Sequence, residues 1–266
     1  MKNKKPVLLI IYTTLFFLYI FVPIILIFIF AWNSGEGYSF PLEGFTWRWF
    51  TELFSDQLAR KAIGNSAVIA VSSATISTVL AVFLSIGLLK GLARRPGVFL
   101  VLLILPVLMP SLTIGISALV FFRTINIPLG IPIVILSHVS ISMSYVFLIL
   151  MGRIEELPLN LQEASVDLGA SWFASVRDIV IPFLIPAAVA GWLFAFMISW
   201  NDFIITYFLV GSNLTLPVYI FSQLRFGLSP KVNVISVLIT LFTLSMIAIL
   251  LLSRKIYGKI LMKVKT

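Results

Sequence analysis

The residue hardest to place on physical grounds is Asp202, which falls in Ser199-Trp200-Asn201-Asp202-Phe203, well inside an apolar run covering about 183–210. A carboxylate at membrane depth needs a cation, water or hydrogen-bond donors, or it takes up a proton, and such residues often mark transport paths. Three readings stand at this point: contact with a cationic or polar cargo, pairing with a neighbouring side chain, or a position nearer the outer interface. Ser199, three residues back, can share the helix face of Asp202, while Asn201 is offset from it. The single histidine, His138, lies in Ile135-Leu136-Ser137-His138-Val139-Ser140, among polar but not acidic neighbours. It is expected as a neutral helix-to-helix hydrogen-bond donor, or alternatively on the substrate path.

One histidine and no cysteine exclude a His-rich or Cys-ligated metal centre, and Met143, Met151 and Met197 are too dispersed for a soft-metal path. No metal site is expected. There is no Gly-x-x-x-x-Gly-Lys-Ser/Thr loop to cradle phosphates, so the chain is not expected to hydrolyse ATP. His-Glu-x-x-His and Gly-x-Ser-x-Gly are also absent. An intramembrane enzyme would need His138 and Asp202 to meet from separate spans, and no catalytic residue is assigned.

A second set of residues lies between apolar runs, in the segment 152–181. Glu155 and Glu156 precede Leu157-Pro158, and Asn160 can cap a short helix through Leu161, Glu163, Ala164, Val166, Asp167 and Leu168, which Gly169 can end. A second turn begins near Ala170 or Ser171 and leads by Arg177 and Asp178 to Ile181-Pro182. Such a segment is either a rigid knob offered to a partner or an ordinary amphipathic surface helix.

The elements that carry these residues follow from composition. Of the 266 residues, 60% are hydrophobic and only 11% charged, too few polar side chains to clothe a soluble fold of this size. Apolar runs at about 6–31, 65–89, 98–122, 131–151, 183–210 and 232–252 each reach the roughly 20 residues needed to cross hydrocarbon. They lack the dyad alternation of a membrane barrel, so an all-α membrane protein of six helices is expected. The first run is too long for a signal-peptide core and is read as a retained span.

The net charge of +9 sits mostly at the ends of these runs, which argues against nucleic acid as a partner. Lys2, Lys4, Lys5, Lys90, Arg94, Arg95, Arg153, Arg177 and the basic C-terminal stretch outnumber Arg48, Arg60, Lys61, Arg123, Arg225 and Lys231 on the other side. The excess predicts both termini in the cytoplasm. Outside, Trp32, Trp47, Trp49 and Phe50 suggest a short interfacial helix. Pro106 and Pro110 in the third run predict a bent helix, serving either as a gate or as a static kink. The second run, rich in Ser, Thr and Ala, is read as a packing face.

Glu163-Ala164-Ser165-Val166-Asp167-Leu168-Gly169-Ala170, followed by Ile179, Ile181 and Pro182, resembles the "EAA" loop of ABC-importer permeases, the binding-protein-dependent inner-membrane component family. The chain departs from that pattern at Ser165, where a second Ala is usual, and at Val176, where Phe is usual. The resemblance covers nearly the whole chain. It implies a type I importer permease fold and a coupling helix formed by Glu163, Ala164, Asp167, Gly169 and Ala170, seated on a separate ATPase subunit. It also implies residence in a bacterial cytoplasmic membrane and four kinds of partner: a homologous permease, two ATPase subunits, an extracytoplasmic solute-binding protein and membrane lipid. No cofactor is bound by this chain, ATP and Mg belonging to the ATPase subunits. Pro106-Val107-Leu108-Met109-Pro110, the Asp202 stretch, and Leu216-Pro217-Val218-Tyr219 resemble the second permease of spermidine/putrescine systems. That resemblance implies a substrate path at Ser199, Trp200, Asn201, Asp202, Phe203 and Tyr207, with the aromatic residues offering cation-π contact. Members of that branch often carry an Asp-Asp pair where this chain has Asn201-Asp202. Relatives for iron, thiamine or phosphonate, and a proton-coupled transporter, remain alternatives.

Overall fold

The computed structural model describes the chain except residues 1–6, 37–39, 92–95, 159–163, 166, 227–228 and 265–266, and the side chains of 96, 226 and 249–264. Its regular elements are helices: α1 (Val7–Ala31), α2 (Arg48–Ser55), α3 (Gln57–Leu89), α4 (Pro96–Leu108), α5 (Ser111–Thr124), α6 (Ile131–Ile154), α7 (Trp172–Asn201), α8 (Ile204–Leu209), α9 (Leu216–Phe226) and α10 (Pro230–Val264). Among the described residues the one β-type pairing is an isolated bridge, Asn33 to Phe45. The protein is thus all-α, as its composition requires.

Five of these helices, α1, α3, α6, α7 and α10, are long and apolar enough to cross a membrane. The third apolar run departs from a simple bend. It is two helices, α4 and α5, meeting at 101°. Their 13 and 14 residues give about 20 Å each, short of the ~30 Å hydrocarbon layer, so neither crosses alone, and the pair counts as a sixth crossing only if it is one broken span rather than a re-entrant loop. The break follows from Pro110. The residue before a proline is driven out of the α region, and Pro110 itself takes φ −59°, ψ 135° and starts the next helix, its carbonyl accepting from Ile114 N–H at 3.2 Å.

Two other helices differ in extent from their apolar runs. Helix α3 starts at Gln57 rather than near 65, because Asp56 Oδ1 accepts from Leu58 N–H at 2.9 Å and Ala59 N–H at 3.1 Å and so caps the charged turn of Arg60 and Lys61 ahead of the apolar run. Helix α7 starts at Trp172, with Ser171 Oγ accepting from Ala174 N–H at 3.2 Å. It widens into a π turn over Val176–Val180, where Ile181 N–H reaches back to Val176 O just ahead of Pro182, which has no N–H to give. It ends at Asn201, not near 210, because Asp202 is extended (φ −69°, ψ 119°).

The chain divides into two compact units. In the first, residues 1–60 and 220–266, α1 packs on α10, and α2 is tied down by Trp49 Nε1–H donating to Asn33 O at 2.7 Å. Trp32, Phe45, Trp47 and Phe50 form an edge-to-face and stacked aromatic group beside that short helix. In the second unit, Lys61–Tyr219, α6 lies along α7, and Gly191 is required at their crossing, where an added Cβ would sit 2.8 Å from Val146 Cγ1. Ile69, Phe122, Val134, Ile205 and Leu209 make its apolar core. Ser66, Ser73, Ser77, Ala70, Ala74 and Ala81 form one buried stripe on α3, the packing face expected of that run.

Candidate functional site

The break between α7 and α8 is where the second unit gathers its buried polar groups. Asp202 leaves α7 in an extended conformation, and its Oδ1 accepts from Thr206 N–H at 2.9 Å and from Thr206 O–H at 3.2 Å, closing the first turn of α8 from outside. His138, from the first half of α6, brings Nε2 to 3.3 Å from the same oxygen and to 3.2 Å from Thr206 Oγ1. Its other nitrogen, Nδ1, is 2.7 Å from Ser199 Oγ on α7. Ser199 Oγ is in turn 2.9 Å from Ser73 Oγ on α3, which also reaches Ile69 O at 2.8 Å. Four helices and one loop position are therefore joined by a continuous chain of hydrogen bonds.

His138 has an acidic partner, contrary to what its sequence neighbours suggest, because Asp202 is 64 residues away and arrives only through helix packing. The order Ser199, His138, Asp202 matches the donor order of a hydrolytic triad. It has no use as one. Ser199 is 5% exposed and His138 3%, and the Ser199 hydroxyl is already shared between Ser73 and His138. What the arrangement does is satisfy buried polar groups and fix a carboxylate that keeps 15% of its side chain exposed.

The remaining residues of the expected path separate into two groups. Trp200 is buried, stacked on Phe196 with ring centroids 5.6 Å apart, and Phe196 stacks on Trp192. Asn201 points away from the polar cluster, its amide donating to Met197 O at 2.9 Å. Phe203 and Tyr207 lie together, centroids 5.4 Å apart, and Tyr207 is exposed. Ser73 and Thr206 were not among the expected site residues. Thr206 stands four positions after Asp202, and Ser73 lies on the small-residue stripe of α3; both spacings are visible in the sequence, but their partners are not.

Between α6 and α7, Glu163, Asn160, Leu161 and Val166 lie outside the described residues. The turn that follows is described. Leu168 N–H donates to Ala164 O at 3.1 Å and Ala170 N–H to Ser165 O at 3.0 Å, and Gly169 closes the turn in the left-handed region at φ 92°. Asp167 is exposed, and Leu168 and Phe173 present 89% and 71% of their surface. On the flanking helices Arg153 pairs with Glu156 and lies 3.9 Å over the Phe183 ring, while Lys90 lies 4.1 Å over Trp172. Pro106 is inside α4 and Pro110 at the head of α5, so the pair brackets the 101° break.

No group of three or more metal-ligating side chains is found among the described residues.

Comparison with known proteins gives a consistent picture. The family model "Binding-protein-dependent transport system inner membrane component" matches residues 78–259. The chain is 31% identical over 231 residues to the putrescine transport system permease protein PotI of Escherichia coli (strain K12), covering 84% of this chain and 82% of that one. It is 30% identical over 232 residues to the spermidine/putrescine transport system permease protein PotC of Haemophilus influenzae, covering 87% and 90%. Among solved structures, a bacterial ABC transporter involved in the import of the acidic polysaccharide alginate has a chain that superposes with a TM-score of 0.71 at 16% identity, over 96% of this chain and 98% of that one.

Proposed function

Since the chain belongs to the binding-protein-dependent transport system inner membrane component family, and is a multi-pass permease subunit of an importer of that class, we propose that its cargo is a polyamine, spermidine or putrescine. The observation that carries this reading is a carboxylate held at a helix break inside an apolar run, on the same short segment that carries the paired rings of half-buried Phe203 and exposed Tyr207. A cationic amine gains from both. The carboxylate supplies charge in a medium that weakly screens it, and an aromatic face adds about 0.5–2 kcal/mol.

Transport then proceeds by alternating access. A loaded solute-binding protein docks on the outer segments of this chain and a homologous permease. Two ATPase subunits close on ATP and push the coupling segment that includes Glu163, Ala164, Asp167, Gly169 and Ala170. The exposed Leu168 and Phe173 supply the apolar contact that such a joint requires. Nucleotide thereby biases a two-state permease, and hydrolysis on the ATPase subunits resets it. The α4–α5 break at Pro106 and Pro110 is the moving element along the path. Both termini are cytoplasmic in this scheme, with α4 and α5 together making one crossing of the bacterial cytoplasmic membrane.

The test is ATP hydrolysis by the complete complex in lipid nanodiscs, stimulated with spermidine- or putrescine-loaded binding protein and compared with unloaded protein. Iron- and thiamine-loaded cognate binding proteins serve as controls. Stimulation confined to polyamines is the expected outcome; an active complex indifferent to them places the cargo in another solute class.

A further inference from the structure

His138 is 3% exposed, too enclosed to touch a passing solute, yet it is bonded to the one carboxylate that the transport reading uses. Its two nitrogens face different chemistry. Asp202 Oδ1 beside Nε2 has only lone pairs to offer, so Nε2 carries the proton and donates. Ser199 Oγ beside Nδ1 is a hydroxyl that can donate or accept, and Ser73 behind it has both Ser199 and the Ile69 carbonyl within reach. With a neutral imidazole, protons point from Ser73 to Ser199 to Nδ1. With an imidazolium the two hydroxyls reverse and point toward Ile69 O. In either arrangement every donor has an acceptor and Nε2–H still donates to Asp202.

Thr206, on the same segment as Asp202, could hold the carboxylate within its own turn. His138 adds a tie to α6. Three donors converge on Oδ1, so turning the carboxylate breaks all of them at once. We infer that His138 is the positioning residue for Asp202: by locking Oδ1 it presents the second carboxylate oxygen to a cationic cargo in one fixed direction, a role that rests on the proposed contact between Asp202 and a polyamine.

The test uses spermidine uptake by the complete complex in proteoliposomes, with four variants in this chain. His138→Gln keeps an N–H near the Nε2 position, while His138→Asn reaches only as far as Nδ1 and so retains Ser199 but not Asp202. The expected result is uptake within about threefold of the unaltered complex for Gln and a loss of about tenfold for Asn, the size expected when a donor to a buried charge is removed. Asp202→Asn alone is also expected to lose about tenfold, and adding His138→Asn to it no more than that, because the two act through one oxygen. A polar side chain that only filled space would make Gln and Asn alike, and independent roles would multiply the two losses to about a hundredfold; either result overturns the assignment. Melting temperature and nucleotide-only ATP hydrolysis of each complex separate these losses from failed assembly. If the unaltered complex takes up no spermidine while hydrolysing ATP normally, the polyamine reading itself is wrong and the inference falls with it; uptake with multiplied losses removes the inference alone.

Discussion

Asp202 performs two tasks with one carboxylate, closing the first turn of α8 and holding His138, and the two tasks respond differently to substitution. In Asp202→Asn the amide oxygen still accepts from Thr206 N–H and His138, so the protein is expected to stay within about 1 kcal/mol of its original stability while losing the charge. Asp202→Leu removes the acceptor of all three donors, Thr206 N–H, Thr206 O–H and His138 Nε2–H, and is expected to cost about 1–3 kcal/mol, read as a lower melting temperature in thermal unfolding of the purified complex. Equal melting temperatures for the two variants would contradict the hydrogen-bond geometry. At this scale the sequence was half legible. Asp202 stood out because a charge in an apolar run is costly, and Ser199 followed by helical spacing. His138 did not, because a partner 64 residues away is a product of tertiary packing that neither its neighbours nor its spacing record.

Helices α4 and α5 illustrate how far local rules extend. Two prolines in one apolar run predict a bend, but a break of 101° also needs something to hold the second limb, and that is the close approach of Gly115 to α8. A Cβ at Gly115 would lie 3.1 Å from Phe208 Cδ2 and 3.3 Å from Ile205 Cα. Pro110→Ala restores an N–H and frees Met109 to become helical. Spin labels at Val101 and Thr124 are then expected to move apart by at least about 5 Å, since a continuous helix gains 1.5 Å per residue. An unchanged distance would assign the break to packing by α8 rather than to the proline. Boundaries were less legible for a related reason. Hydropathy marks where lipid-compatible residues begin, whereas α3 and α7 are continued by charged and π-turn residues that favour helix but not lipid. The turn at Gly169 was readable, because a glycine after an amphipathic turn announces a left-handed cap.

For the whole molecule, composition alone specified an all-α membrane protein, but orientation depends on how the broken pair is counted. Taken as one crossing, it gives six and puts both termini on one side; taken as a loop that returns to its own side, it gives five and separates them. Because the chain has no cysteine, single cysteines report their side without background labelling. A cysteine at Thr266 is expected to be shielded from a membrane-impermeant maleimide in intact cells and labelled after permeabilisation, while one at Glu43 labels at once. Labelling of both in intact cells would contradict the even count.

The central claim, that this chain is a permease subunit of an ATP-driven polyamine importer, is tested most directly by accumulation. Proteoliposomes containing the complete complex, with ATP enclosed on the ATPase side and labelled spermidine plus its binding protein on the other, are expected to concentrate spermidine above the outside level, and to stop when ATP is replaced by a non-hydrolysable analogue. Equilibration that is independent of ATP, or no entry of spermidine or putrescine in a complex that hydrolyses ATP, would contradict it.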